Sequence, residues 1–117
     1  MKKETQTICQ ALLDEKPKSA ARTSTDGESL FLHGNKIATL ERYPYGGIKK
    51  VTMTLAGWGT VTTRERLNGL IQSIAWRANG AYTRAGFSQK KGKQYYTDPN
   101  GNVREINPHD TVTLFVY

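Results

Sequence analysis

Apolar and polar positions along this chain repeat with two different periods, and the changes of period divide it into elements. Leu67, Leu70, Ile71, Ile74 and Ala78 recur at spacings of three and four, which is one stripe of an α-helix. In front of the stripe, Thr62-Thr63-Arg64-Glu65 fits a capping box: Thr62 accepts from the Glu65 N–H, and the Glu65 side chain reaches back to the Thr62 N–H. Behind it, Asn79-Gly80 supplies a pair suited to a left-handed C-cap. The pattern predicts a helix over 63–78. Gly69 falls inside it at a cost of about 1 kcal/mol relative to alanine, either as a tolerated surface glycine or where another backbone comes close.

Elsewhere the period is two. SLFLHGNKIATLERY (29–43) reads as a hairpin turning at Gly34-Asn35, residues that tolerate positive φ. Leu30 and Leu32 alternate with Phe31 and His33, and Ile37 and Leu40 continue the second strand. Pro44 and Gly46-Gly47 break the chain again, and IKKVTMTLAGW (48–58) follows with Val51, Met53 and Leu55 on one face. After the helix, AYTRAGFS (81–88), GKQYYTD (92–98), NVREI (102–106) and TVTLFVY (111–117) read as β, with Asp98-Pro99-Asn100-Gly101 the clearest turn between them.

Ahead of all this, TQTICQALLDE (5–15) puts Ile8, Leu12 and Leu13 on one stripe, a short amphipathic helix that must dock to be stable. KPKSAARTSTDGES (16–29) has almost nothing to bury and reads as a flexible linker. The expected class is therefore α+β, with one helix laid across an antiparallel sheet in the order β-β-β-α-β-β-β. Residues 1–28 are expected as an N-terminal helix and linker, and 29–117 as one domain.

Composition narrows the setting. The 117 residues are enough for one modest core. The lone Cys9 excludes an intrachain disulfide framework and fits a reducing compartment. No apolar run approaches the roughly 20 residues that span a bilayer, and MKKETQTICQALLDE places glutamate and glutamine where a signal peptide needs its apolar core. The expectation is a soluble cytoplasmic protein with no membrane partner.

The net charge of +7 lies in one part of the chain. Residues 1–41 hold six basic and six acidic side chains, and 98–117 hold Arg104 against Asp98, Glu105 and Asp110. Residues 42–97 hold Arg42, Lys49, Lys50, Arg64, Arg66, Arg77, Arg84, Lys90, Lys91 and Lys93, with Glu65 their only acid. Such a field attracts nucleic acid, or an acidic patch on a protein, and is also compatible with a plain soluble surface.

Chemistry is sparse. His33 and His109 fall in expected turns 76 residues apart, and no Cys/His or acid set has metal-ligand spacing. His109-Asp110 is accounted for by a turn, Asn107-Pro108-His109-Asp110, before the last strand. Gly57-Trp58-Gly59 with Thr62-Thr63 is no P-loop, because no lysine stands at the required place. The reading is a non-enzymatic protein without cofactor or metal. Two groups combine basic and aromatic residues. On the polar face of the helix, Trp76 falls beside Ser73, Arg77 and Arg66, an arrangement used by hot spots and by base-stacking surfaces, or one covered by another part of the fold. Tyr82, Arg84, Phe87, Lys90, Lys91, Lys93, Tyr95 and Tyr96 interleave across a hairpin whose tip is Lys90-Lys91-Gly92-Lys93, and only one of Tyr95 and Tyr96 can face the core. Tip lysines are also an ordinary guard against aggregation.

STDGESLFLHGNKIATL (24–40) and LAGWGTVTTRERLNGLI (55–71) resemble small bacteriophage-encoded proteins of unknown function, over roughly residues 22–71, with a weaker likeness in GKQYYTDPNGNVREI. The resemblance implies an accessory gene acting in the bacterial host cytoplasm, often a regulator or inhibitor of host systems, and carries no site residues with it. The first functional reading is binding to nucleic acid or a nucleic-acid-bound complex through Arg64, Arg66, Trp76, Arg77, Arg84, Lys90, Lys91 and Lys93. The alternatives are a protein–protein inhibitor of a host defence system, anti-CRISPR or other, and a virion or assembly component. A homo-oligomer joined through the edge strand TVTLFVY is a further expectation.

Overall fold

The helical stripe forms the centre of the molecule. In the computed structural model, which describes residues 2–20 and 22–116, the stripe lies on α2 (Val61–Asn79), two residues longer at its start and one at its end than the pattern predicted. Ala21 and Tyr117, within two of the stretches read above, lie outside the described residues. Leu67, Leu70, Ile71 and Ile74 are buried, whereas Ala78 is exposed and Ala75 takes the last place on the stripe. The capping box is not formed. Thr60 is the N-cap instead, extended at φ −98° and ψ 159°, and its hydroxyl accepts from the Thr63 N–H at 3.2 Å. Glu65 is drawn away from the cap because its carboxylate accepts from the Thr5 hydroxyl and the Lys2 N–H. At the other end Gly80 takes the left-handed conformation at φ 66°, and its N–H donates to Trp76 O.

Thr5 belongs to α1 (Lys3–Leu13), the N-terminal helix expected over 5–15. Its Ile8, Cys9, Leu12 and Leu13 join the same buried cluster as the α2 stripe, which supplies the docking that a helix this short needs. Residues 16–28, expected as a linker, instead carry β1 (Lys18–Ala20) and β2 (Thr23–Thr25). β2 buries polar side chains, while β1 leaves Lys18 and Ser19 exposed. The Thr25 hydroxyl donates to Ser29 O at 2.6 Å and accepts from the Gly27 N–H, and Thr23 accepts from Arg66. A pattern read through apolar residues passes over strands made of satisfied threonines.

β1 and β2 continue into β3 (Ser29–Leu32), β4 (Asn35–Arg42) and β5 (Ile48–Thr54). The β3–β4 turn sits one residue earlier than expected: Leu32 faces Asn35, so the loop is His33-Gly34, both at positive φ (53° and 80°). After α2 come β6 (Gly86–Lys90), β7 (Lys93–Thr97), β8 (Val103–Ile106) and β9 (Thr111–Phe115). The expected single sheet is in fact two antiparallel ones, a six-stranded sheet in the order β1-β2-β3-β4-β5-β9 and a three-stranded sheet β6-β7-β8. The order expected for the strands omitted β1 and β2 and counted three strands after the helix where there are four.

Register gives the large sheet two unlike faces. Leu30, Ala38, Met53 and Val112 stand in one cross-strand row and Leu40, Val51 and Leu114 in another, all buried. The opposite face carries Thr39, Thr52 and Thr113 in line, with Lys50 beside Phe115.

The small sheet docks on α2 through two side-chain amides. Asn68 Nδ2 donates to Phe87 O at 2.9 Å while its Oδ1 accepts from the Phe87 N–H at 2.7 Å. One turn on, Gln72 makes the same pair of bonds with Thr83, at 2.8 and 3.0 Å. Each amide offers the backbone what the peptide group of a neighbouring strand would offer, and Asn68 thereby closes the outer edge of β6. Asn68→Ala leaves the Phe87 N–H and C=O unpaired beneath the helix. It is expected to lower stability by about 1–3 kcal/mol in urea unfolding, and an unchanged midpoint would show the amide pair to be dispensable.

Candidate functional site

The eight residues singled out for binding divide between structure and surface. Arg66 is not on the outside of α2, as its place in the helical pattern suggested, but 5% exposed. Its Nε donates to the Thr23 hydroxyl at 2.8 Å and its Nη1 to the Thr5 hydroxyl at 2.6 Å, and it pairs with Glu65. This cluster ties α2 to α1 and β2. Arg64 is half-buried: its Nη1 donates to Gly59 O (2.9 Å), Gln89 Oε1 (2.7 Å) and Gln94 Oε1 (3.0 Å). It links the start of α2 to the β6–β7 hairpin while meeting no acid.

Glu65 and Cys9 show how closed this inner cluster is. Burial acts to raise the Glu65 carboxyl, but hydrogen bonds from Thr5, Arg66 and the Lys2 N–H outweigh it and hold the group below its ordinary value of 4.5. Burial, with the Glu65 charge adding to it, pushes the Cys9 thiol up to about 12. That thiol is a packed core group and not a nucleophile.

The Gly57-Trp58-Gly59 stretch is also architecture. Gly57 stands at φ 84°, a Cβ there would come within 2.6 Å of the His109 ring, and its N–H donates to Pro108 O. The 107–110 turn is closed as expected, with the Asn107 N–H donating to Asp110 Oδ2 at 2.8 Å.

Two surfaces remain. The first is the outer face of the small sheet. Tyr96 and Phe87 pack inward, rings 5.2 Å apart, both buried, so Phe87 and Tyr96 leave the basic–aromatic set. Tyr95 faces out between Ser88 and Glu105, and Lys90 stands directly across from Lys93 on that same face. Lys91 and Gly92 form the turn at φ 51° and 79°. Arg84 lies at the far end against Gly101, while Arg104, across from Tyr96, lies on the opposite face, 5.8 Å from that ring. Among the described residues the ion pairs engage Arg42, Lys49, Lys50, Arg66 and Arg77, so Arg64, Arg84, Lys90, Lys91 and Lys93 meet no acid.

The second surface joins residues from the two separate sequence groups. Trp76, 55% exposed, lies 5.2 Å from Tyr82, 77% exposed. They flank a cleft of about 440 Å³ between α1 and α2, lined also by Gln6, Gln10 and Gln72. Arg77 borders it, held to Asp14 at 3.1 Å. The pairing with Tyr82 and the glutamines from α1 were not legible beforehand, because nothing local in the sequence brings α1 beside the end of α2.

The chain belongs to the Kyanoviridae Gp96 protein family, whose model matches residues 1–113, and is thus a phage protein, as the resemblance implied. Comparison with curated proteins and with solved structures gives no match. Among the described residues no helix is long and apolar enough to cross a membrane.

The inner cluster makes stability depend on pH. Glu65 is lowered in the folded state, so its contribution is complete above the ordinary value of 4.5 and is lost as pH falls through the folded value below it. Glu65→Gln is expected to be less stable than the parent at neutral pH and to lose less stability on acidification. Parallel urea midpoints for the two proteins across that range would sink this account.

Proposed function

We propose that this phage protein is a non-enzymatic accessory protein that binds nucleic acid, alone or within a nucleoprotein complex, through the outer face of its small sheet. One observation carries the reading: three lysines crowd the β6–β7 tip at a cost to the fold. Lys90 and Lys93 are directly opposed like charges, which destabilise a strand pair. Lys91 takes a positive φ that Asn, Asp or Gly adopts more readily. Nothing within the fold offsets these costs, since no acid engages the three among the described residues. A polyanion does. Tyr95 shares the face and offers a ring for base stacking, while the lysines meet phosphate. Arg64 adds positive charge behind the tip, next to Gln89 and Gln94.

Binding to a random single strand and to a duplex, followed by fluorescence anisotropy, is expected to weaken steeply from low to physiological salt. Lys90, Lys91 and Lys93 changed together to alanine should reduce the log–log salt slope by about 2–3 without loss of stability. Binding that ignores salt, or a slope the triple variant leaves unchanged, overturns the reading.

The exposed Trp76–Tyr82 pair favours a second reading, inhibition of a host defence protein, since exposed aromatic anchors beside an arginine are what protein hot spots use. It calls for a stoichiometric complex from host lysate that survives nuclease and is lost with Trp76→Ala. A complex that dissolves on nuclease treatment excludes it in favour of the first.

A further inference from the structure

Among the described residues four strands lie at sheet edges, and three are guarded. β1 spans three residues, follows Pro17 and begins with Lys18. β6 is closed by Asn68, and β8 carries Arg104 and Glu105. β9, TVTLF, has no charge, no proline and no register shift against β5. The Val116 N–H donates to Lys49 O at 2.9 Å, which fixes the phase of the β5–β9 ladder. Val112 and Leu114 bond to β5, and Thr111, Thr113 and Phe115 turn their N–H and C=O to the open side. A groove of about 430 Å³ runs along that side over Ile71, Ile74 and Ala75 of α2. Tyr96 lines it, with a buried hydroxyl that has no hydrogen-bond partner among the described residues. Its other wall is Thr83 and the β7–β8 turn at Asp98, Pro99 and Asn100, and a strand laid along β9 between these walls brings its peptide groups toward that hydroxyl.

We propose that two copies of the chain meet here, β9 pairing antiparallel with β9 of the second copy about a two-fold axis at Thr113, so that two six-stranded sheets become one continuous sheet. Charge complementarity favours a second copy over an unrelated strand. Asp110 precedes β9, and Lys49 stands beside its far end, where it shares the single carboxylate of Glu41 with Lys50. The axis brings each Asp110 into the cross-strand row of Val116 and Lys49 of the other copy, about two strand spacings or 10 Å across the backbone, a gap that a lysine and an aspartate side chain span. Thr111 of one copy then covers Phe115 of the other, which is 51% exposed in the single chain. A parallel pairing, or a slip by two residues, separates these partners.

The test is analytical ultracentrifugation of the full chain after nuclease treatment, over low to high micromolar concentration. The parent is expected to sediment as a dimer. Thr113→Pro removes an N–H that makes no bond within the sheet, and is expected to give a folded monomer. Should that variant fail to fold, Thr113→Lys serves in its place, because it sets two like charges across the axis from an exposed position. Lys49→Glu is expected to weaken association at least about tenfold, since it reverses two symmetry-related charge pairs. A parent that stays monomeric, a dimer that survives the Thr113 variant that folds, or a dimer indifferent to Lys49→Glu overturns the proposal.

Discussion

The structure depends on one helix hydrogen-bonding outward through its polar side chains. α2 buries Leu67, Leu70, Ile71 and Ile74 on the large sheet in the ordinary way. Its other faces are also occupied, by groups that form hydrogen bonds rather than by apolar surface. Asn68 and Gln72 hold the backbone of Phe87 and Thr83, Arg66 holds Thr5 and Thr23, and Arg64 holds Gly59, Gln89 and Gln94. Apolar contacts are tolerant of sliding, whereas paired amides and a guanidinium fork are satisfied in one geometry only. In a chain with a modest core, this is how a second sheet and an N-terminal helix are held in a unique place.

That arrangement decides what the basic stretch is free to do. A charge count along the sequence treats every arginine alike, but burial does not. Arg66 is committed to the interior, Arg42 caps α1 by donating to Leu12 O and Leu13 O, and Arg77 is paired to Asp14. Within residues 42–97, the basic side chains that meet no acid among the described residues lie on or behind the small sheet and its hairpin tip, away from the inner cluster that stabilises the fold.

What could be read beforehand follows the kind of force involved. The α2 stripe, the strands β3 to β5, the β7–β8 turn and the Gly80 cap each rest on a local period or a local backbone need, and these are written in adjacent residues. β2 escapes a pattern read through apolar residues because threonines face inward there, and β1 because its Lys18 and Ser19 stay exposed and bury nothing. The capping box failed because Glu65 had a better partner on α1, which no local rule reveals. Arg66 was misplaced for the same reason: helical phase gives a direction, but α1 and β2 turned that direction into the interior. Tyr82 was assigned to the wrong group because its neighbour, Trp76, is set by the close of α2 and not by strand alternation.

The division between interior and rim bears on how function is separated from folding. Substitutions at Asn68, Gln72 or Arg66 disturb the contacts that seat β6, the segment before it, or α1 and β2 on α2, so any loss of binding that follows them says nothing about a site. The side chains of Lys90, Lys91, Lys93, Tyr95 and Trp76 make no ion pair among the described residues, and the Trp76 contribution to the α2 cap comes from its backbone carbonyl alone. Opposed lysines at the tip even cost stability, so removing them is expected to strengthen the hairpin while weakening whatever it binds. Stability and binding moving in opposite directions is the signature of residues kept for a partner, and no rearrangement of a purely structural hairpin produces it.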